Sequence, residues 1–450
     1  MSVPVLVEIR HFHESGERSS LWKRRQLMYA CLSPAARALG LMTIEGLTIG
    51  AVLFRQEETE MNITIVKDES PPPVGWWRFS GDVTVASHNA PWCACGVISV
   101  IRNAWCACRV RRVELTSDDD VDDVVQGQVL RTLCLLENDV VSLHLGKVYI
   151  KDDQLTRFLR RLNVLSLDGC DGRIEKWMGC LSKTAEVVKI SDCFCVSEAT
   201  LACMPAATVR HLTLDNTNVT ASHLNHLKWT DYLQTLSLMD CRKIHSLQIG
   251  AFPELRRLFL CRTPIENESL KGVESCSHLR IVNLGGCQEV NDVNVLGALK
   301  QLRELFLHGT GVTDGGIAAI ASCEGLEKLN LGGCISISDV NHLGRLANLL
   351  ELHLWSTRVT NAGIRGLASC CAMVELILDD CVRITDVSPL GCLQSLRWLS
   401  LIGTEVDAHG VKALIQSQKL ETLALGGTRI AHPPKLWSHE AIVEYLENFL

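Results

Sequence analysis

Several things are scarce or missing in this chain, and each narrows what it can be. No stretch of the 450 residues approaches the roughly 18 apolar residues of a membrane-spanning helix, so no membrane span is expected. Positive charge is not in excess. The 44 Lys and Arg face 51 Asp and Glu, a formal net charge of −7, so no nucleic-acid partner is expected. The start, MSVPVLVEIRHFHESGE, has an early Glu and no apolar run of the length a secretory signal needs. Proline is scarce, with 12 residues, and it clusters where other patterns break, at Pro71–Pro73 and Pro433–Pro434. There is no nucleophile elbow, no His-Glu-x-x-His and no Gly-x4-Gly-Lys-Ser/Thr phosphate loop. The chain is therefore expected not to be an enzyme, and no cofactor or small-molecule substrate is expected.

What the chain does have is a phrase returning every 23 or 24 residues, Leu-x-x-Leu-x-Leu-x-x-(Cys/Thr). It reads LRELFLHGT from Leu302, LEKLNLGGC from Leu326, LLELHLWST from Leu349 and LRWLSLIGT from Leu396. The same register starts at Leu162, Ala185, Val209, Leu233, Leu255, Leu279, Met373 and Leu420. A degenerate copy starts at Val140 and a weaker one near Val110. A period of this length means a solenoid. Residues at the first, fourth and sixth places point inward, and those between them point outward. No single unit can bury its leucines, so neighbours stack and share one core.

The phrase resembles the leucine-rich repeat, with Cys or Thr at the ninth place where Asn is common, as in the cysteine-containing subclass. The resemblance covers roughly residues 140–430. It implies an α/β solenoid of about 12–14 repeats, a curved parallel sheet with helices or short turns on the convex side. Cys and Thr mostly alternate at the ninth place: Thr263, Cys287, Thr310, Cys334, Thr357, Cys381, Thr404. The true unit is a pair of about 47 residues. After Thr come helix-like stretches such as VTDGGIAAIASCEGL, and after Cys come shorter ones. Repeats of this style resemble those of trypanosomatid leucine-rich-repeat proteins.

Residues 1–109 do not follow the phrase and are expected to form a non-repeat region or cap; the solenoid takes 110–430 and a capping helix 431–450. Within the first part, residues 20–32 read as an amphipathic surface helix, and Asp118–Asp120, Asp122 and Asp123 as a solvated loop. At the other end, Pro433 and Pro434 end the repeat, and Ser438 is placed to cap a helix with Ile442, Val443, Leu446, Phe449 and Leu450 on one face.

The 21 cysteines are spread through core positions, not set as a compact disulfide framework. That usage fits a reducing compartment, so a cytoplasmic address is expected, with nuclear and cytoskeletal alternatives open. One cluster lies outside the repeat: Cys93, Cys95, Cys106 and Cys108, near His88. Four thiolates can bind zinc, but Cys-x-Cys is not the usual zinc spacing. It points rather to two strands with each pair on one face. No metal site is expected there.

Function is therefore sought on the concave sheet, where the third, fifth and seventh places face outward. Bulky groups gather there in the later repeats: Phe259, Phe306, His308, His353, Trp355, Ile377, Trp398 and Ile402, with Gly285 and Gly332 leaving room between them. Glu304, Glu351 and Glu375 rim the patch. Clustered exposed aromatics mark interaction sites, and Trp is enriched at hot spots. The expected function is a non-enzymatic scaffold or adaptor binding a partner protein on this face. The resemblance implies one alternative, the substrate-recognition subunit of an SCF-type ubiquitin ligase, because cysteine-containing repeats often follow an F-box. Here only LSPAARALGLMTIEGL faintly suggests such a box.

Overall fold

Each repeat makes one short strand, and its length is set by the phrase. The fourth-place residue sits mid-strand. In the three-residue strands of the later repeats the sixth-place Leu follows just beyond the strand's end, and in the five-residue strands such as Val164–Asp168 it lies within the strand. In the repeat from Leu302 the strand is Glu304–Phe306, with Leu302, Leu305 and Leu307 fully buried. The eighth residue then turns the chain. It takes a left-handed backbone in thirteen successive repeats, from Lys147 (φ 52°) through Gly309 (φ 66°) to Gly427 (φ 71°). This turn aims its N–H along the solenoid. The Gly309 N–H donates to Gly332 O at 2.8 Å, and the Asp240 N–H to Cys261 O at 2.9 Å. The inter-repeat ladder thus runs past the strands.

The protein is described from a computed structural model. It covers the backbone of residues 52–57, 60–67, 77–87 and 112–117. It then covers 141–430, apart from 148, 151–158, 182–183, 206–207 and 226–229, and finally 438–448. The expectations for residues 20–32, for the acidic run beginning at Asp118 and for Cys93, Cys95, Cys106 and Cys108 lie outside these residues.

The chain divides into two units, one up to Asn218 and one from Val219 onward. In the first unit, parallel strands Arg112–Ser117, Ser142–Gly146, Val164–Asp168, Val187–Ser191 and His211–Thr213 pair in chain order. The weak copy near Val110 therefore forms a strand. Ahead of it, Trp77–Ser87 pairs in parallel with Arg112–Ser117. Two short helices, Ile174–Cys180 and Glu198–Ala202, lie between strands. The second is held by a reciprocal cap between Ser197 and Thr200.

The second unit carries nine three-residue strands paired in parallel, from Thr235–Ser237 to Thr422–Ala424. Its return segments are mostly 3-10 turns, such as Gly315–Ser322 and Asn341–Arg345. The stretches after Thr310 and Thr357 are thus tighter than α-helices, whereas Ala221–Asn225 and Ala408–Val411 are α-helical. Neighbouring return segments pack closely: a Cβ at Gly344 would collide with Gly366 O, and one at Gly316 with Asn291 O. At the end, helix His439–Glu447 starts at Ser438, whose hydroxyl accepts from the Ala441 N–H at 3.2 Å. It buries Ile442 and Leu446 beside the last strand and turn.

The ninth place has a structural role. The Thr310 hydroxyl donates to Leu307 O at 2.7 Å, and Thr263 and Thr357, two repeats before and two after, donate likewise to Leu260 O and Leu354 O. In the Cys repeats the thiol reaches back instead. Cys287, Cys334 and Cys381 donate to Leu260, Leu307 and Leu354 O, each at 3.0 Å. Both residue types satisfy backbone where the strand ends. The cysteines before each new repeat work likewise, Cys323 donating to Leu296 O at 3.3 Å.

Candidate partner-binding face

All the residues expected to bind a partner lie in the second unit, on the strands or just past them. Their three rows follow from the register. Glu304, Lys328, Glu351, Glu375 and Trp398 are successive cross-strand partners at the third place. Phe259, Asn283, Phe306, Asn330, His353, Ile377 and Ser400 follow one another at the fifth. His308, Trp355 and Ile402 stand at the seventh.

Exposure is uneven along these rows. Trp398 (49%), Ile402 (44%) and Trp355 (36%) are the open large apolar groups. Phe259, Glu304, Phe306, His308, Glu351, His353 and Ile377 are half-buried. Outward-facing places are not all open, however. Ser237, Cys261 and Ser400 are buried. For Ser400 the reason is visible: its hydroxyl bonds the Asp379 carboxylate, which also accepts the Ile402 N–H at 3.1 Å.

The glycines explain the aromatic spacing. A Cβ at Gly332 would fall inside the indole of Trp355, and one at Gly285 inside the imidazole of His308. Each seventh-place ring therefore lies over the seventh-place glycine of the preceding repeat. The room expected beside these glycines is filled by the chain's own rings. Neither glycine needs an unusual backbone; each is required by the ring above it. Asn330 locks the arrangement below Trp355, its side-chain oxygen accepting the Gly332 N–H at 2.9 Å, and Asn283 does the same for Gly285 at 3.0 Å.

Charge on the face is acidic and partly paired. Lys328 Nζ lies 2.8 Å from Glu351 Oε1. That bond holds the lysine above its ordinary pKa, with Glu304 and Glu375 adding to it. His353 Nε2 lies 3.1 Å from Glu375 Oε1. Burial, joined by the positive charge of Arg262, pushes His308 below the usual imidazole value. Its Nδ1 is buried and has no hydrogen-bond partner among the described residues. No group of three or more metal-ligating side chains occurs among the described residues, and no helix there is long and apolar enough to cross a membrane.

Reading the sequence missed two features: the left-handed eighth place and the seating of rings on glycines. The first had a signal, since Gly, Asp or Asn fills that place in all but the repeats of Lys147, Arg262 and Ser356. The second had none beyond the glycines themselves, because the partners sit 23 residues apart.

No protein-family model matches the chain, and no curated protein matches it. Among solved structures it is similar to a leucine-rich-repeat protein of Leptospira interrogans, with TM-score 0.54 and 16% identity over 76% of this chain and 88% of that one. It is also similar to an internalin of Listeria monocytogenes, with TM-score 0.56 and 18% identity over 73% and 93%. The Toll–Spatzle complex of Drosophila matches with TM-score 0.56 and 15% identity over 78% and 47%. At these identities the likeness establishes the fold, a leucine-rich-repeat solenoid.

Proposed function

We propose that this chain is a non-enzymatic protein-interaction scaffold whose concave face holds a partner protein. The carrying observation is the set of open apolar groups on the sheet's outward face, Trp398 at the third place and Trp355 and Ile402 at the seventh, in the same stretch of repeats as Glu351 and Glu375. Large apolar side chains left open on one face are what an interface core needs, and tryptophan contributes disproportionately to binding. Phe259, Phe306, His308, His353 and Ile377 complete the contact surface, and Glu304 extends its acidic rim. One matched structure is a complex, that of Toll with Spatzle, which accords with this reading. The Cys/Thr alternation supports kinship with the cysteine-containing subclass. Thiols that donate hydrogen bonds to backbone support a reducing, cytoplasmic setting.

The test is affinity purification with mass spectrometry from the native cell, comparing wild type with Phe306→Ala/Trp355→Ala at equal abundance and equal melting temperature. Partners lost only from the variant support the concave site. An unchanged partner list places binding elsewhere. A Skp-type adaptor retained by both would assign the chain to an SCF-type ubiquitin ligase.

A further inference from the structure

We propose that Glu375 and Trp398 form a subsite for an arginine side chain carried by an extended segment of the partner protein. This rests on the concave-face reading above and adds the chemistry of what that face recognises. The starting point is an imbalance of charge. From Glu304 to Trp398 the third-place row carries three carboxylates, Glu304, Glu351 and Glu375, and a single cation, Lys328; Arg257 stands two strands before Glu304. Glu351 and Glu375 are direct cross-strand partners. Like charges so placed destabilise a sheet unless something neutralises them. Lys328 is bonded to Glu351. Glu375 has His353 on one oxygen, and that pair is ionic only if the imidazole is protonated. Asp379, from the same repeat as Glu375, adds another carboxylate, and its described contacts are a hydroxyl and a backbone N–H. The surplus negative charge therefore centres on the repeat of Glu375.

The next residue in that row selects the cation. Trp398 is the direct register partner of Glu375, one strand away at about 4.8 Å. Its indole is half exposed. A guanidinium is planar: it can stack on the indole while its edge donates to the carboxylate beside it. An ammonium lacks the planar face that stacks flat on the indole and the paired donors that match a carboxylate edge, so it gains less from this pairing. The subsite is shallow and open, so a free amino acid would gain little from it. A peptide segment, anchored also on Ile402 and Trp355, would hold its arginine in place.

The experiment selects random peptides displayed on phage against the immobilised full chain. Enriched peptides are then synthesised with arginine, lysine or citrulline at their shared basic position, and binding is measured by fluorescence anisotropy. The expected result is enrichment of arginine-bearing peptides. Citrulline in the peptide, Glu375→Gln or Trp398→Ala should each weaken binding by about tenfold or more. Trp398→Phe should retain most of the affinity, and all variants should melt with wild type. Lack of enrichment, or enriched peptides without arginine, overturns the proposal. Peptides sensitive to Phe306→Ala/Trp355→Ala but indifferent to Glu375→Gln and Trp398→Ala would sink the arginine subsite and leave the concave reading standing. Peptides indifferent to all of these variants would sink both.

Discussion

Thr310 and Cys334, one repeat apart, donate to the same oxygen. The Thr310 hydroxyl reaches Leu307 O at 2.7 Å, and the Cys334 thiol reaches it at 3.0 Å. Their own side-chain atoms lie 3.5 Å apart. The same arrangement joins Thr263 to Cys287 and Thr357 to Cys381. Alternation at the ninth place thus has a physical meaning: one residue closes its own turn, and the next reaches back across the stack to the same carbonyl. The pair is the structural unit because each carbonyl is shared by two repeats.

A thiol that donates must be protonated. Burial pushes Cys287, Cys334 and Cys381 above the ordinary cysteine value, and Cys323 and Cys370 up to about 11. The thiolate is the reactive form. Alkylation of the native protein at neutral pH, mapped by mass spectrometry, should label the exposed Cys203, Cys371 and Cys392 and spare the buried five. All should react in denaturant. Rapid native labelling of Cys334 would contradict the shared-carbonyl arrangement.

Two glycines should fail for different reasons. Gly309 has a left-handed backbone, and a Cβ there would meet nothing nearer than 3.8 Å. Gly309→Ala should cost about 1–2 kcal/mol by backbone strain alone. At Gly332 the obstacle is the Trp355 ring. Gly332→Ala should dislodge the indole and change its fluorescence and near-UV dichroism, whereas Gly309→Ala should leave them nearly unchanged. Urea titration with both optical probes separates the cases.

Core and face should separate under mutation as well. Leu305 is fully buried, so Leu305→Ala should destabilise by about 2–5 kcal/mol. Trp355→Ala should leave folding nearly intact and weaken partner binding by about 2 kcal/mol or more. Equal thermal destabilisation by the two would mean that the assigned faces are wrong.

Two histidines should make stability depend on pH. Burial pushes both His308 and His342 below the usual imidazole value. In the unfolded chain these rings take up a proton near pH 6.5, before the native ones do. Stability therefore rises with pH in this window. It is complete above about pH 6.5 and falls as pH drops from there toward the lowered native values. His308→Gln should flatten part of that slope in urea midpoints between pH 7 and 5. An unchanged slope would mean that His308 titrates alike in both states.

The sequence by itself determined the solenoid, the inward and outward places and the two-repeat period, because a leucine's direction in a short strand is a local property. Leu302, Leu305 and Leu307 could point one way only if the phrase was to bury anything. The Ser438 cap was legible for the same reason. Tertiary structure alone decided which outward residues are open. Ser400 is closed by Asp379, Gly332 is roofed by Trp355, and Trp398 stays exposed. Those outcomes depend on side chains 21 and 23 residues away, brought together by stacking repeats. A repeating phrase fixes the spacing of neighbours, but the particular residues in adjacent copies decide what covers what.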